Sequence, residues 1–120
     1  MRVAVTAKEA SVDSPVDQRF GRARYLIVVD TETGNREVHD NEVNLNAAQG
    51  AGIQTAQNVA RLAVEAVITG HAGPNAFRAL SAAGVKVYTG VQGTVEQAVA
   101  EFRAGKLTPT DSADVEGHWA

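Results

Sequence analysis

Tyr25-Leu26-Ile27-Val28-Val29 is an unbroken apolar run rich in β-branched side chains. It reads as a strand buried on both faces of a sheet, because a strand with one wet face would alternate apolar and polar residues. Upstream, residues 2–6 form a second short apolar run, separated from the first by a long loop over residues 7–24. Downstream, residues 30–34 carry turn chemistry, and residues 35–43 are polar enough for an edge strand returning in a hairpin.

From Gly52 the period changes. Ile53, Ala56, Ala60 and Ala63 recur at three- and four-residue steps, which predicts the buried face of a helix. Ala66-Val67-Ile68 follows as a buried strand closed by Gly70. Pro74 suits the first turn of a second helix, where its missing N–H would be unpaired anyway. Phe77, Leu80 and Ala83 mark that helix's inner face and Gly84 its stop. Residues 85–88 read as a last short strand. Thr94 and Gln97 then have capping-box spacing ahead of a stripe of Val95, Ala98, Val99 and Phe102, ended by Gly105. The order βββαβαβα predicts an α/β fold: a mixed sheet with an antiparallel edge and helices on both faces.

The chain has 120 residues, enough for one domain, which we place at residues 1–107. Residues 108–120 contain Pro109 and three acids without periodicity, and are expected to form a mobile acidic tail. Fourteen acidic against eleven basic residues give a formal charge of −3, which argues against general nucleic-acid binding. No apolar run approaches a membrane span, and no secretory apolar core opens the chain, so a cytoplasmic location is expected. Cysteine is absent. That excludes disulfides, thiol catalysis, thiolate zinc sites and cysteine-ligated iron–sulfur clusters. The three histidines, His39, His71 and His118, lie far apart in sequence, which disfavours a histidine zinc site.

In an open α/β sheet, ligands bind beyond the carboxyl ends of the parallel strands. Three segments should meet there: the loop of residues 7–24, Ala48-Gln49-Gly50-Ala51-Gly52, and Gly70-His71-Ala72-Gly73-Pro74-Asn75. Glycine-rich approaches to helix N-termini offer backbone N–H groups and a positive dipole end to an anion. The loop adds Arg19, Arg22 and Arg24, and its length without helical period predicts mobility in the absence of ligand. The plainer reading is that the glycines serve tight turns and the arginines are solvated. Gly50-Ala51-Gly52 is not a dinucleotide fingerprint, because Thr55 stands where the third glycine belongs. His71, between a strand and a helix, is the best polar candidate for ligand contact or metal ligation, against an ordinary turn histidine. His39 reads as an exposed edge residue, and His118 and Trp119 fall in the tail. Ser14 has no partner pattern for nucleophilic catalysis.

At these segments the chain resembles the dinitrogenase iron–molybdenum cofactor biosynthesis accessory family. The resemblance rests on Asp13-Ser14-Pro15-Val16, Phe20-Gly21-Arg22-Ala23, Gly50-Ala51-Gly52-Ile53-Gln54, Gly70-His71-Ala72-Gly73-Pro74-Asn75-Ala76 and Gly84-Val85-Lys86-Val87-Tyr88, and runs from Met1 to about Leu107. It implies a ribonuclease H-like fold and a protein that binds or carries metal–sulfur clusters rather than an enzyme. The family's short, stand-alone members imply a molybdenum–copper sulfide cluster, or a related molybdenum or iron–sulfur cluster. They also imply partners in cell division or cofactor assembly. Nuclease activity does not follow from the fold name, since the first strand ends at Thr6 without a metal-binding carboxylate. The candidate cluster-binding residues are Arg22, Arg24, Gly50, Ala51, Gly52, His71, Gly73 and Asn75, with His71 also the candidate metal ligand. The competing reading is an adaptor or regulatory module whose glycine-rich edge meets a protein and no metal.

Overall fold

The computed structural model describes residues 1–41 and 50–110. Five strands form one sheet: β1 (Arg2–Ala7), β2 (Tyr25–Asp30), β3 (Arg36–Asp40), β4 (Ala66–Ile68) and β5 (Lys86–Tyr88). Three helices join them: α1 (Ala51–Arg61), α2 (Pro74–Ala82) and α3 (Val95–Arg103). The spatial order is β3-β2-β1-β4-β5. β1 pairs antiparallel with β2, and β2 with β3, while β4 and β5 run parallel to β1. This is the mixed α/β architecture expected from the sequence.

Period-two alternation divides the core between the two faces. Val3 and Val5 of β1, Ile27 and Val29 of β2 and Ile68 of β4 pack with Val95, Ala98 and Val99 of α3. On the opposite face, Ala4, Leu26, Val28 and Val67 pack with Val59 of α1 and Leu80 of α2. Both faces of the central strands are therefore dry, which is why β2 reads as continuous rather than alternating. Leu80 is fully buried, and burial of such a side chain contributes about 1.5–3 kcal/mol.

The structure corrects several details. β1 runs one residue further, through Ala7, and β3 is shorter than the expected 35–43, with residues 42 and 43 outside the described ones. The buried face of α1 is Ala51, Gly52, Thr55, Ala56 and Val59, whereas Ile53 is 38% exposed and Ala60 is also exposed. The bulkier Val59 and a polar contact at Thr55 turn the helix away from the alanine stripe. Ala63 lies beyond the helix with φ 55°. In α2 the inner face is Ala76 and Leu80, with Phe77 only partly covered and Ala83 exposed. Gly84 does close that helix: its φ of 77° lets Val85 N–H reach back to Leu80 O at 3.0 Å.

Of the expected tail, residues 108–110 are described. Thr110 N–H donates to Val87 O at 2.7 Å and its hydroxyl lies 2.8 Å from that of Thr89, so this stretch is fastened beside β5. His118 and Trp119 lie outside the described residues.

Candidate functional site

The carboxyl ends of β1, β4 and β5 share one edge of the sheet, and α1, α2 and α3 all begin there. The loop of residues 7–24 crosses this edge. Expected from its length to be mobile without ligand, it is joined to the edge here by backbone hydrogen bonds. Asp17 N–H donates to Thr6 O at 2.8 Å, His71 N–H to Gln18 O at 2.8 Å, Phe20 N–H to His71 O at 3.1 Å and Val16 N–H to Gly93 O at 2.9 Å. Val16 and Phe20 are buried, and a 3-10 turn at Phe20–Arg22 packs against α1. Ser14 is buried as well. Its hydroxyl accepts N–H bonds from Lys8 and Glu9 and donates to Pro15 O, a structural role within the loop.

This loop makes the three helix N-termini unequal. That of α3 is closed. Thr94 Oγ1 accepts from Gln97 N–H at 3.1 Å, Gln97 Oε1 accepts from Thr94 N–H at 2.9 Å, and Val95 and Glu96 N–H donate to Ser14 O and Val12 O. Those of α1 and α2 begin at Gly50 and Gly73, neither of which supplies a side-chain cap. Gly50 has φ 101°, a left-handed conformation that favours glycine. Among the described residues, no acceptor is found for the N–H groups of Ala51, Gly52, Ile53, Asn75 or Ala76. The two helices pack together and both run away from the carboxyl edge, so their positive dipole ends lie side by side.

Beneath the edge lies a polar layer that the sequence did not announce. Thr6 Oγ1 is 2.8 Å from Asp17 O and 2.7 Å from Thr69 Oγ1, and both threonines are fully buried. Asn41, 3% exposed, donates through Nδ2 to Ala23 O at 2.8 Å and Thr55 Oγ1 at 3.1 Å, and accepts from Asn58 Nδ2 at 2.6 Å. It ties the end of the loop to α1. Gly70 passes so close to Gln18 that a Cβ there would lie 2.6 Å from Gln18 Cα. No residue-type signal marks Thr6, Thr69, Gln18 or Asn41, because their partners are distant in sequence.

The predicted site residues divide into two groups. Gly50, Ala51, Gly52, Gly73 and Asn75 form the paired helix starts, and Arg22 ends the 3-10 turn that packs on α1 with its side chain exposed. His71 is half-buried, its backbone bridged to the loop at Arg19. Arg24 is differently placed: it pairs with Asp40 at 3.0 Å and lies 5.4 Å from the Tyr25 ring centroid, which shares its charge with the β2–β3 end of the edge. Among the described residues, no three His, Asp or Glu side chains gather as a metal-ion site. An open cleft of about 480 Å³ lies on the α3 side of the edge, between Lys8, Pro15, Gln18 and residues 92–94, apart from the predicted residues. The perturbed carboxyls lie elsewhere. Backbone N–H groups of Glu32 and Thr33 hold Asp30 below its ordinary pKa, and hydrogen bonds from Arg2 and His39 do the same to Glu37.

Fold and edge together define a small α/β domain with two helix N-termini that no described residue caps, beside a basic turn, an arrangement suited to an anion. The chain belongs to the dinitrogenase iron–molybdenum cofactor family, which it matches over residues 1–105. The apo orange protein from Desulfovibrio gigas is 41% identical and superimposes with a TM-score of 0.92, covering 95% of this chain and 96% of the other. A proposed NifB protein from Thermotoga, solved by NMR, is 40% identical with a TM-score of 0.79, over 95% and 98% of the two chains. An uncharacterized protein of Methanocaldococcus jannaschii is 27% identical over 115 residues, 89% of this chain and 97% of its own. Family membership relates the chain to the handling of a metal-containing cofactor. No helix among the described residues is long and apolar enough to cross a membrane.

Proposed function

We propose that the protein binds and carries an anionic metal–sulfur cluster, a molybdenum or molybdenum–copper sulfide, as non-covalent cargo rather than acting as an enzyme. The observation that carries this reading is the contrast among the helix N-termini: α3 is closed by its capping box and by the loop, whereas the first N–H groups of α1 and α2 meet no acceptor among the described residues. A bare metal ion does not fit this donor set, since the chain has no cysteine and its described carboxylates and histidines do not cluster. A cluster that arrives with its own sulfides needs charge and hydrogen-bond donors instead. Soft sulfide suits molybdenum with copper(I).

In this reading the N–H groups of Ala51, Gly52, Ile53, Asn75 and Ala76 surround the anion. Each helix dipole adds roughly 0.3–1 kcal/mol. Hydrogen bonds to a charged group contribute about 1.5–3 kcal/mol each, so a few suffice for tight binding. Arg22 supplies an exposed positive charge, and His71 a half-buried polar group between β4 and α2. Gly73 and Gly50 add no side chain of their own to the approach. Reconstitution of the metal-free protein with tetrathiomolybdate and a copper(I) salt should give a coloured, stoichiometric complex that survives gel filtration. A protein that remains colourless after that treatment refutes the carrier reading and leaves the metal-free adaptor.

A further inference from the structure

The two edges of the sheet are treated differently. β5 is flanked by the segment ending in Thr110, whose N–H donates to Val87 O. Along β3 no described residue pairs with the outer edge. Exposed edges are usually blunted by charged side chains, proline or a bulge. β3, Arg36-Glu37-Val38-His39-Asp40, has charges but no proline or bulge, keeps unbroken register with β2 over all five residues, and carries opposite charges at its two ends. Its central Val38 is 47% exposed, the most exposed large apolar side chain among the described residues.

The ladder fixes which backbone groups face outward. Asp30 N–H donates to Asn35 O at 2.9 Å, and Asn41 N–H to Arg24 O at 2.8 Å. The odd-numbered residues of this strand therefore bond to β2, and Arg36, Val38 and Asp40 direct their N–H and C=O groups away from the sheet.

We propose that this edge is a homodimer interface, in which β3 pairs antiparallel with β3 of a second copy about a two-fold axis at Val38. In that register Arg36 lies opposite Asp40 of the second copy, Glu37 opposite its His39, and Val38 opposite its Val38. Each opposed pair projects on the same face, where cross-strand partners interact. The outward N–H and C=O groups of Arg36, Val38 and Asp40 all find partners. Slipping the register by two residues, the next step that preserves hydrogen bonding, removes both Arg36–Asp40 pairs in either direction and in one direction sets Glu37 against Glu37. The alternation of charge thus selects one register and one two-fold arrangement. Existing ion pairs hold the side chains in place: Arg24 with Asp40 at 3.0 Å, Arg2 with Glu37 at 2.9 Å and Arg36 with Glu96 at 3.7 Å. A carboxylate accepts from more than one cation, so these contacts extend into a network across the axis.

One five-residue strand pair forms a small interface, so the dimer dissociates readily on dilution. Because β3 runs parallel to β1, the two-fold sends the carboxyl edges of the two copies in opposite directions, and the candidate cluster sites share no residue. Dimerisation and cluster binding are then independent, and failure of either leaves the other intact.

Sedimentation velocity across a micromolar-to-millimolar range tests this. The wild-type chain should move from monomer towards dimer as concentration rises. Arg36→Asp alone and Asp40→Arg alone should each remain monomeric, because like charges then face each other twice. An equimolar mixture of those two variants should recover the dimer, since every opposed pair is again of opposite sign. Val38→Pro removes the central outward N–H without breaking a bond to β2 and should abolish dimerisation, with unchanged far-UV circular dichroism reporting an intact fold. A wild-type chain that stays monomeric at millimolar concentration overturns the proposal. So does a dimer that persists in Val38→Pro, or a variant mixture that fails to associate.

Discussion

Replacing Gly70 by alanine should unfasten the loop of residues 7–24 from the sheet edge. The added Cβ would lie 2.6 Å from Gln18 Cα and 2.7 Å from Gln18 O, backbone atoms that cannot swing aside. Relief requires the two segments to separate. That stretches His71 N–H to Gln18 O, now 2.8 Å, Phe20 N–H to His71 O, now 3.1 Å, and Gln18 Nε2 to Val91 O, now 3.1 Å. Overpacking a tight site costs about 1–3 kcal/mol. Each weakened hydrogen bond adds up to roughly 0.5–1.5 kcal/mol. A loss of about 2–4 kcal/mol is expected, most of the three bonds being distorted rather than lost. Gly34→Ala is the control: its φ is 79° but nothing lies within 4 Å of the new Cβ, so only backbone strain of about 1–2 kcal/mol applies. Urea unfolding of both variants, with amide hydrogen exchange at His71 and Phe20, separates crowding from strain. If Gly70→Ala is no more destabilising than Gly34→Ala, or if those two amides stay as protected as in the parent, the loop is not held by this close approach.

Asn41→Ala removes three hydrogen bonds from a buried hub and leaves Ala23 O and Asn58 Nδ2 without their present partner. Chemical unfolding should show a loss of about 2–3 kcal/mol, the upper part of the range for unsatisfied buried polar groups. Arg22→Ala should weaken tetrathiomolybdate–copper binding more than Arg24→Ala, because Asp40 already shares the charge of Arg24; equal loss in a titration followed by absorbance would remove that distinction. Asp30 and Glu37 have folded-state pKa values below their ordinary ones, so the stability they contribute is present above the unfolded-state pKa and lost as pH falls through the folded one. Asp30→Asn should accordingly flatten the acid limb of a stability–pH profile below about pH 4 and leave its neutral and alkaline parts parallel to the parent's.

The strands were legible because their signal is local. β2 is apolar throughout and buried on both faces, and the change of period after residue 50 separates the hairpin half of the sheet from its parallel half. The start of α3 was equally legible, since Thr94 and Gln97 bond to each other's backbone within a single turn. The inner face of α1 was not. Its orientation answers to Asn41 and to the packing of Val59, contacts made with other parts of the chain, and a stripe of alanines is too weakly apolar to oppose them.

For the candidate site, the sequence located the glycine-rich helix starts and the basic loop, because those are properties of residue type and spacing. Which helix start the loop closes was decided by tertiary structure. Ser14 O and Val12 O close α3 through backbone carbonyls that every residue possesses, so no side chain records the contact. Gly70 looks like any turn glycine until Gln18 is seen lying against it. The outer edge of β3, with which no described residue pairs, has the same origin. Its five residues encode the alternating charges, but only the sheet order leaves that strand on the outside, and only the register with β2 turns Arg36, Val38 and Asp40 outward.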